Sequence, residues 1–363
     1  MLRDFSNVKR LVVKVGTNIL TKNGGVDTAF MGEVARQLAQ MVRQKRQVIL
    51  VTSGAIGMGR TALGLEKKIT EVKLRQACAA VGQGILMNEY EQAFAPFGQK
   101  VAQVLLTNRI MSHRRYYVNL KNAMETLLSM GIVPIVNEND CVSIDEIGLA
   151  FGDNDTLSAL VASKIDAELL LILTDVAGLY DRNPRLDPAA NLIPVVYELT
   201  PEIEAMAGAA GSSLGTGGMK TKLSAIRIAA HSGCRVILAD GRQENVIPRL
   251  LAGEEIGTLF LPKRRLSNRK RWILNSHSEG VIEVDAGAAA ALRNSRSLLA
   301  VGVTKVRGHF EAGEVVKIGE FAKGVASLSS EELRRLLAER EKADSGVRPR
   351  AIVHANDLVL LNA

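Results

Sequence analysis

Cysteine is scarce in this chain. Its 363 residues hold three, Cys78, Cys141 and Cys234, far apart and without a CxxC pair or a Cys/His cluster. That excludes a thiol-based metal site and a disulfide scaffold, and it suits a reduced cytoplasmic setting. The five histidines (113, 231, 277, 309 and 354) have no metal-ligand spacing, so no metal ligand is assigned to the protein. There is no GxSxG elbow and no Cys/His pair of the kind a hydrolase needs. Apolar runs all fall short of the roughly 20 residues that span a bilayer. The opening stretch, MLRDFSNVKR, lacks an apolar core, so no signal peptide is expected. Aromatics are only 4% of the chain while glycines number 32, a mix that fits an α/β enzyme with many tight turns better than an all-β binding module.

What is present is ordinary globular material. Apolar residues make up 47% and charged residues 23%, enough for a buried core. The length suggests two or three domains. The net charge of +8 is uneven: residues 263–363 carry 18 Lys/Arg against 12 Asp/Glu, and residues 1–262 carry 28 against 26. A basic tail fits an anionic partner or simple solubility equally well.

Residues 1–262 alternate apolar runs with amphipathic stretches. Strands are expected at 11–15, 48–52, 101–106, 132–136, 169–173 and 236–239. These runs are rich in Val, Ile and Leu, as in strands buried on both faces of a parallel sheet. Between them, Phe30, Val34, Leu38, Met41 and Val42 recur at helical spacing, as do Leu157, Leu160 and Val161. Strand–helix–strand alternation implies a three-layer α/β/α sandwich around a mostly parallel sheet. Ligands in such folds bind at the C-terminal ends of the strands. Residues 263–273, basic and polar, read as a linker. Residues 274–363 read as a small β-rich domain, with short apolar runs near 281–284, 298–301, 315–318, 353 and 359–361 and a charged helix at 331–341.

The chemistry-bearing segments follow the expected strands. KVGT at 14–17 puts an ammonium beside backbone amides that can nest a phosphate, although a lysine at a strand end is common. TSGAIGMG at 52–59 has three glycines and a serine, read as one loop that lets a ligand approach the backbone. NEND at 137–140 places four polar groups at one strand tip, more than capping needs, and suits an ammonium group. FGDND at 151–155 precedes a helix, where an Asn or Asp is either an N-cap or an organiser of lysines or of a Mg²⁺–nucleotide complex. Thr174 and Asp175 end another strand, as nucleotide contacts or as a turn. GTGGMKTK at 215–222 is the strongest signal: a glycine-rich loop ending in Lys, Thr and Lys that enters a helix. Its spacing does not match the P-loop. His113, Arg114 and Arg115 are read as surface or interface residues.

In this order the segments KVGTN, VTSGAIGMG, NENDCV, FGDND, LLLILTDVAGLYDRNP and GTGGMKTK closely resemble the amino acid kinase family, and within it the members that phosphorylate glutamate. VTKVRG at 303–308 and FEAGEVV at 310–316 resemble a PUA domain. The resemblance implies transfer of phosphate from ATP, with Mg²⁺ carried by the nucleotide, to the side-chain carboxylate of L-glutamate, opening proline biosynthesis. By resemblance, Lys14, Lys222 and Asp155 are catalytic. Lys14, Thr174, Asp175, Thr216, Gly217, Gly218, Met219, Lys220, Thr221 and Lys222 hold ATP, and Ser53, Asp140 and Asn154 hold glutamate. It further implies a homo-oligomer (dimer or tetramer), inhibition by proline and passage of the product to a glutamyl phosphate reductase. RNA binding by the PUA-like part is a property of PUA domains elsewhere. The competing expectations are an aspartate or N-acetylglutamate kinase, or an RNA-binding protein led by its tail. An acidic Asp140 opposes an acetylated amine, and only Trp272, Phe310 and Phe321 supply aromatics after residue 262.

Overall fold

The computed structural model describes residues 2–22, 25–66, 69–107, 110, 114–142, 153–184, 186–209, 218–262, 266–278, 280–342 and 351–361. It divides into two compact units, one of residues 1–111 and 115–265, the other of 266–363 with 112–114.

The first unit is built on an eight-stranded sheet. Its strands are β1 (Arg10–Val15), β4 (Gln47–Val51), β5 (Val101–Leu106), β6 (Val133–Glu138), β7 (Leu169–Thr174), β8 (Val195–Val196), β9 (Arg235–Asp240) and β10 (Thr258–Phe260); a short hairpin of β2 (Thr21–Lys22) and β3 (Gly25–Val26) stands apart. The order is β5-β6-β4-β1-β7-β9-β10-β8, and every pairing is parallel except β9 with β10. The six expected strands are all present. β8 and β10 were not expected, because runs of two and three residues carry too little pattern to stand out.

Alternation along each strand sends side chains to two separate cores. Leu11, Val13, Leu169, Leu171 and Leu173 pack on one face with Leu38 and Met41 of α2 (Thr28–Arg43) and with Leu86, Tyr90 and Phe94 of α4 (Val72–Phe94). Val12, Leu170 and Ile172 pack on the other face. Their partners are Met124 of α5 (Arg114–Ser129), Leu157 and Val161 of α6 (Asn154–Lys164), and Leu223 and Ile226 of α8 (Met219–Ala230). Helices on both faces of a parallel sheet make the three-layer sandwich. The remaining helices of this unit are α1 (Thr17–Leu20), α3 (Ala55–Ala62), α7 (Pro201–Ala209) and α9 (Val246–Leu251).

The glycines of TSGAIGMG do not share one loop. Gly54 sits at the start of α3 with φ +107, a backbone state L side chains rarely adopt. Gly57 and Gly59 lie inside α3. Gly59 serves packing: a Cβ there would come within 1.8 Å of the Cys78 carbonyl oxygen in α4. Gly82 of α4 is the reciprocal position, where a Cβ would lie 1.8 Å from the Ala55 oxygen and 2.4 Å from the Gly59 nitrogen. The two helices therefore cross backbone to backbone. Gly82→Ala is expected to lower the melting temperature, since overpacking a tight contact costs about 1–3 kcal/mol. Gly84→Ala, with nothing within 4 Å of its Cβ, is the control and should not destabilise. A thermal melt of both variants checks this.

The second unit has a five-stranded sheet in the order β13-β11-β14-β15-β17. These are β11 (Gly280–Val284), β13 (Val303–Gly308), β14 (Val315–Ile318), β15 (Ala322–Val325) and β17 (Leu358–Leu360), with a separate pair of β12 (Leu298–Leu299) and β16 (Ala351–Val353). Ile282, Phe310, Val316, Ile318, Leu333 and Ile352 form its core. The helices are α10 (Asn268–Asn275), α11 (Ala286–Arg293) and α12 (Ser330–Lys342). The charged helix appears where it was expected, and α11 was missed. The basic stretch read as a linker to residue 273 instead becomes helical at Asn268, capped by Ser267, and buries Arg271, Trp272 and Ile273. Its positive charge masked an apolar helix face.

Candidate active site

Parallel strands bring their C-terminal ends to one edge, and the motifs follow from that. Lys14, one residue from the end of β1, pairs in register with Val51 of β4 and Ile172 of β7, and Val51 pairs with Val136 of β6. Thr52 and Ser53, Asn137 to Asp140, and Thr174 with Asp175 therefore leave the same sheet edge.

Asp155, in the first turn of α6, joins them. It is fully buried, and its two carboxylate oxygens face two ammonium groups. Lys14 Nζ lies 2.6 Å from Oδ1, and Lys222 Nζ of α8 lies 2.9 Å from Oδ2. The lysine side chains are 5% and 8% exposed. Burial by itself would raise the Asp155 pKa, but the charges of Lys14 and Lys222 outweigh it and hold it at about 2. One carboxylate thus serves two cations 208 positions apart in sequence, a state that favours an anion close by.

Asp153 caps α6 by accepting from the Asp155 N–H at 3.2 Å, and its other oxygen accepts from Thr221 Oγ at 3.0 Å. It thereby ties the start of α6 to the start of α8. Burial, then repulsion from Asp155, pushes its pKa up to about 6 against the opposing charge of Lys14. Thr174 Oγ donates to Asp175 Oδ1 at 3.1 Å, and Asn18 Nδ2 donates to Asp175 Oδ2 at 3.2 Å. Burial opposes ionisation of Asp175, but the Asn18 amide and the neighbouring hydrogen bonds keep its pKa below the usual range.

On the other side, Asn154 Nδ2 donates to Ser53 Oγ at 2.8 Å and to Asn137 Oδ1 at 2.9 Å. Asp140 lines an open cavity of about 320 Å³ with Ala55, Gln83, Glu138 and Asn139. The cavity wall reaches Asn154 through Gln83, which accepts from Asn137 Nδ2 at 2.9 Å. Thr52, fully buried beneath Ser53, hydrogen-bonds Tyr90 of α4 at 2.7 Å.

The structure therefore gathers Lys14, Asp155 and Lys222 into one cluster and joins Ser53 to Asn154. Gly218 to Thr221 open α8, with Thr221 tied to Asp153 and Lys220 exposed. Thr216, Gly217 and His113 lie outside the described residues, and Arg115 is exposed. Sequence reasoning missed Gln83 and Tyr90 as supports of the site. Both sit on α4, which carries no motif; a glutamine beside the close-packed Gly82 was the only available signal.

Metal ligands are a separate matter. Among the described residues, no group of three or more His, Cys, Asp or Glu is placed to hold an ion. Both oxygens of Asp155 already face lysines.

A buried lysine–carboxylate–lysine cluster at the carboxyl edge of a parallel sheet has the charge to hold an anion such as a phosphate. Residues 9–240 match the model of the amino acid kinase family, and residues 280–345 match that of the PUA domain. Curated relatives narrow this. The chain is 47% identical over 345 residues to glutamate 5-kinase of Methanosarcina mazei, covering 92% of this chain and 90% of that protein. It is 48% identical over 341 residues to glutamate 5-kinase of Moorella thermoacetica, again covering 92% and 90%. With glutamate 5-kinase of Geobacter sulfurreducens it shares 44% over 370 residues, covering 98% and 99%. The chain belongs to the amino acid kinase family and, within it, to the glutamate 5-kinases.

Proposed function

We propose that the protein transfers the γ-phosphoryl group of ATP to the side-chain carboxylate of L-glutamate, giving L-glutamyl 5-phosphate and ADP, the first step of proline biosynthesis. The convergence of Lys14 and Lys222 on Asp155 carries this reading. Glutamate's side chain, with a reference pKa of about 4.3, is already ionised at neutral pH. No general base is needed. A carboxylate oxygen attacks the γ-phosphorus as the bond to the β,γ-bridging oxygen breaks, and that oxygen leaves with ADP. The obstacle is repulsion between two anions, so catalysis rests on positioning and charge neutralisation. Lys14 and Lys222 hold the phosphates, with Asp155 setting their positions. Thr174, Asp175 and the 216–222 segment receive the nucleotide. Ser53, Asn154 and Asp140 receive glutamate, with Asp140 matched to its free α-ammonium. Mg²⁺ bound to the nucleotide would offset part of the phosphate charge that Lys14 and Lys222 face.

Residues 1–262 form the kinase domain in this reading and 274–363 the PUA-like domain. A cytoplasmic homo-oligomer that hands its labile acyl phosphate to a reductase suits this chemistry. Among the described residues no helix is long and apolar enough to cross a membrane. Trapping the acyl phosphate as its hydroxamate tests the assignment. Full-length protein with ATP, Mg²⁺ and glutamate should form γ-glutamyl hydroxamate, and aspartate or N-acetylglutamate should not replace glutamate. No hydroxamate from glutamate, or a better yield from either other acid, would overturn it.

A further inference from the structure

A one-way chain of side-chain amides runs from Asn154 to the wall of the cavity. Asn154 Nδ2 donates to Asn137 Oδ1 at 2.9 Å, Asn137 Nδ2 donates to Gln83 Oε1 at 2.9 Å, and Gln83 Nε2 donates to Gln103 Oε1 at 3.0 Å. The direction is set at one end. Asn154 Nδ2 also faces the backbone carbonyl of Thr52, which can only accept. A carboxamide donates from its nitrogen and accepts at its oxygen. Turning Asn137 or Gln83 alone would therefore set nitrogen against nitrogen on one side and oxygen against oxygen on the other. Asn137 is 2% exposed, so water cannot relieve such a mismatch there.

The chain has a consequence at the site. With its two N–H groups shared among the nearby oxygens of Thr52, Ser53 and Asn137, Asn154 keeps its Oδ1 as an acceptor that takes no hydrogen bond from the described residues. An acceptor left open next to Ser53 matches a ligand that brings a donor, and an amino-acid ammonium is such a donor. Gln83 comes from α4, which Gly82 locks against α3, so its side chain starts from a rigid base.

We propose that Gln83 is a positioning residue for the amino-acid substrate: by accepting from Asn137 it braces the amide that receives the Asn154 N–H, and so keeps Asn154, turned by the Thr52 carbonyl, in place with its oxygen presented to the substrate ammonium. This rests on the reading of Asn154 as an amino-acid contact. Steady-state kinetics on the full-length chain test it, with glutamate and ATP varied separately for Gln83→Leu, Gln83→Glu and Asn154→Ala. Gln83→Leu should raise the glutamate KM about three- to tenfold, the effect of one neutral hydrogen bond, and leave the ATP KM unchanged. Gln83→Glu keeps an acceptor facing Asn137 and should raise the glutamate KM less than Gln83→Leu does. A role in packing alone would reverse that order, because a half-buried charge is worse accommodated than leucine. An unchanged glutamate KM in Gln83→Leu, or a larger rise in Gln83→Glu, overturns the proposal. Asn154→Ala separates the two levels. If it raises the glutamate KM while Gln83→Leu does not, the relay alone fails. If it leaves that KM unchanged, the amino-acid contact itself is wrong and the relay falls with it.

Discussion

Lys222→Ala should lower kcat by about 10²–10³-fold, the usual loss when one preorganised charge contact to a transition state is removed. The fold should survive. Lys222 is the fourth residue of α8, 7% exposed, and its loss still leaves Asp155 with Lys14, the partner 2.6 Å from its other oxygen. The remaining pair is balanced in charge, and the helix start at Asp155 still favours its carboxylate. ADP release measured beside a circular-dichroism melt checks both halves. Near-normal turnover in a folded Lys222→Ala protein would remove Lys222 from the phosphate site.

Replacing the shared carboxylate should be worse for the fold. In Asp155→Asn, Lys14 and Lys222 face each other, 4% and 7% exposed, with a neutral amide between them. Leaving buried charge without its partner costs about 3–5 kcal/mol, and turnover should be lost as well. The dependence on pH gives a sharper signature. The Asp155 pKa is depressed to about 2 in the folded protein against an ordinary value of 3.8. Between these values the unfolded chain binds more protons, so the stabilisation is present in full above pH 3.8 and is lost as pH falls through 2. The gap in melting temperature between wild type and Asp155→Asn should therefore hold steady above about pH 4 and narrow only below it. A gap that instead shrinks as pH rises through about 6 would point to Asp153, whose raised pKa, due in part to the Asp155 charge, makes its ionisation destabilising in the wild type.

Much of the site was legible because its residues are adjacent in sequence and end strands that are buried on both faces. A run such as Leu-Leu-Leu-Ile-Leu at 169–173, every residue fully buried, has no polar face to present and reads as a central strand from sequence alone. The hydroxyl and carboxylate after it, and the lysine one residue from the end of β1, then fall at the sheet's carboxyl edge. The glycines of TSGAIGMG misled because a glycine that admits a ligand and one that admits another helix look alike in sequence. Only the 1.8 Å approaches at Gly59 and Gly82 separate the two uses. The stretch from Asn268 to Asn275 misled for the opposite reason, since its charges hide Trp272 and Ile273.

The sequence by itself determined the layered α/β unit, the β-rich tail and the segments that leave the carboxyl edge of the sheet, because these rest on local periodicity and on residues close along the chain. Tertiary structure alone decided which carboxylate the two lysines share and how the amides of Asn154, Asn137 and Gln83 are turned. Those are contacts between residues 17 to 141 positions apart, and hydrogen-bond direction and charge pairing depend on distances that no linear spacing encodes.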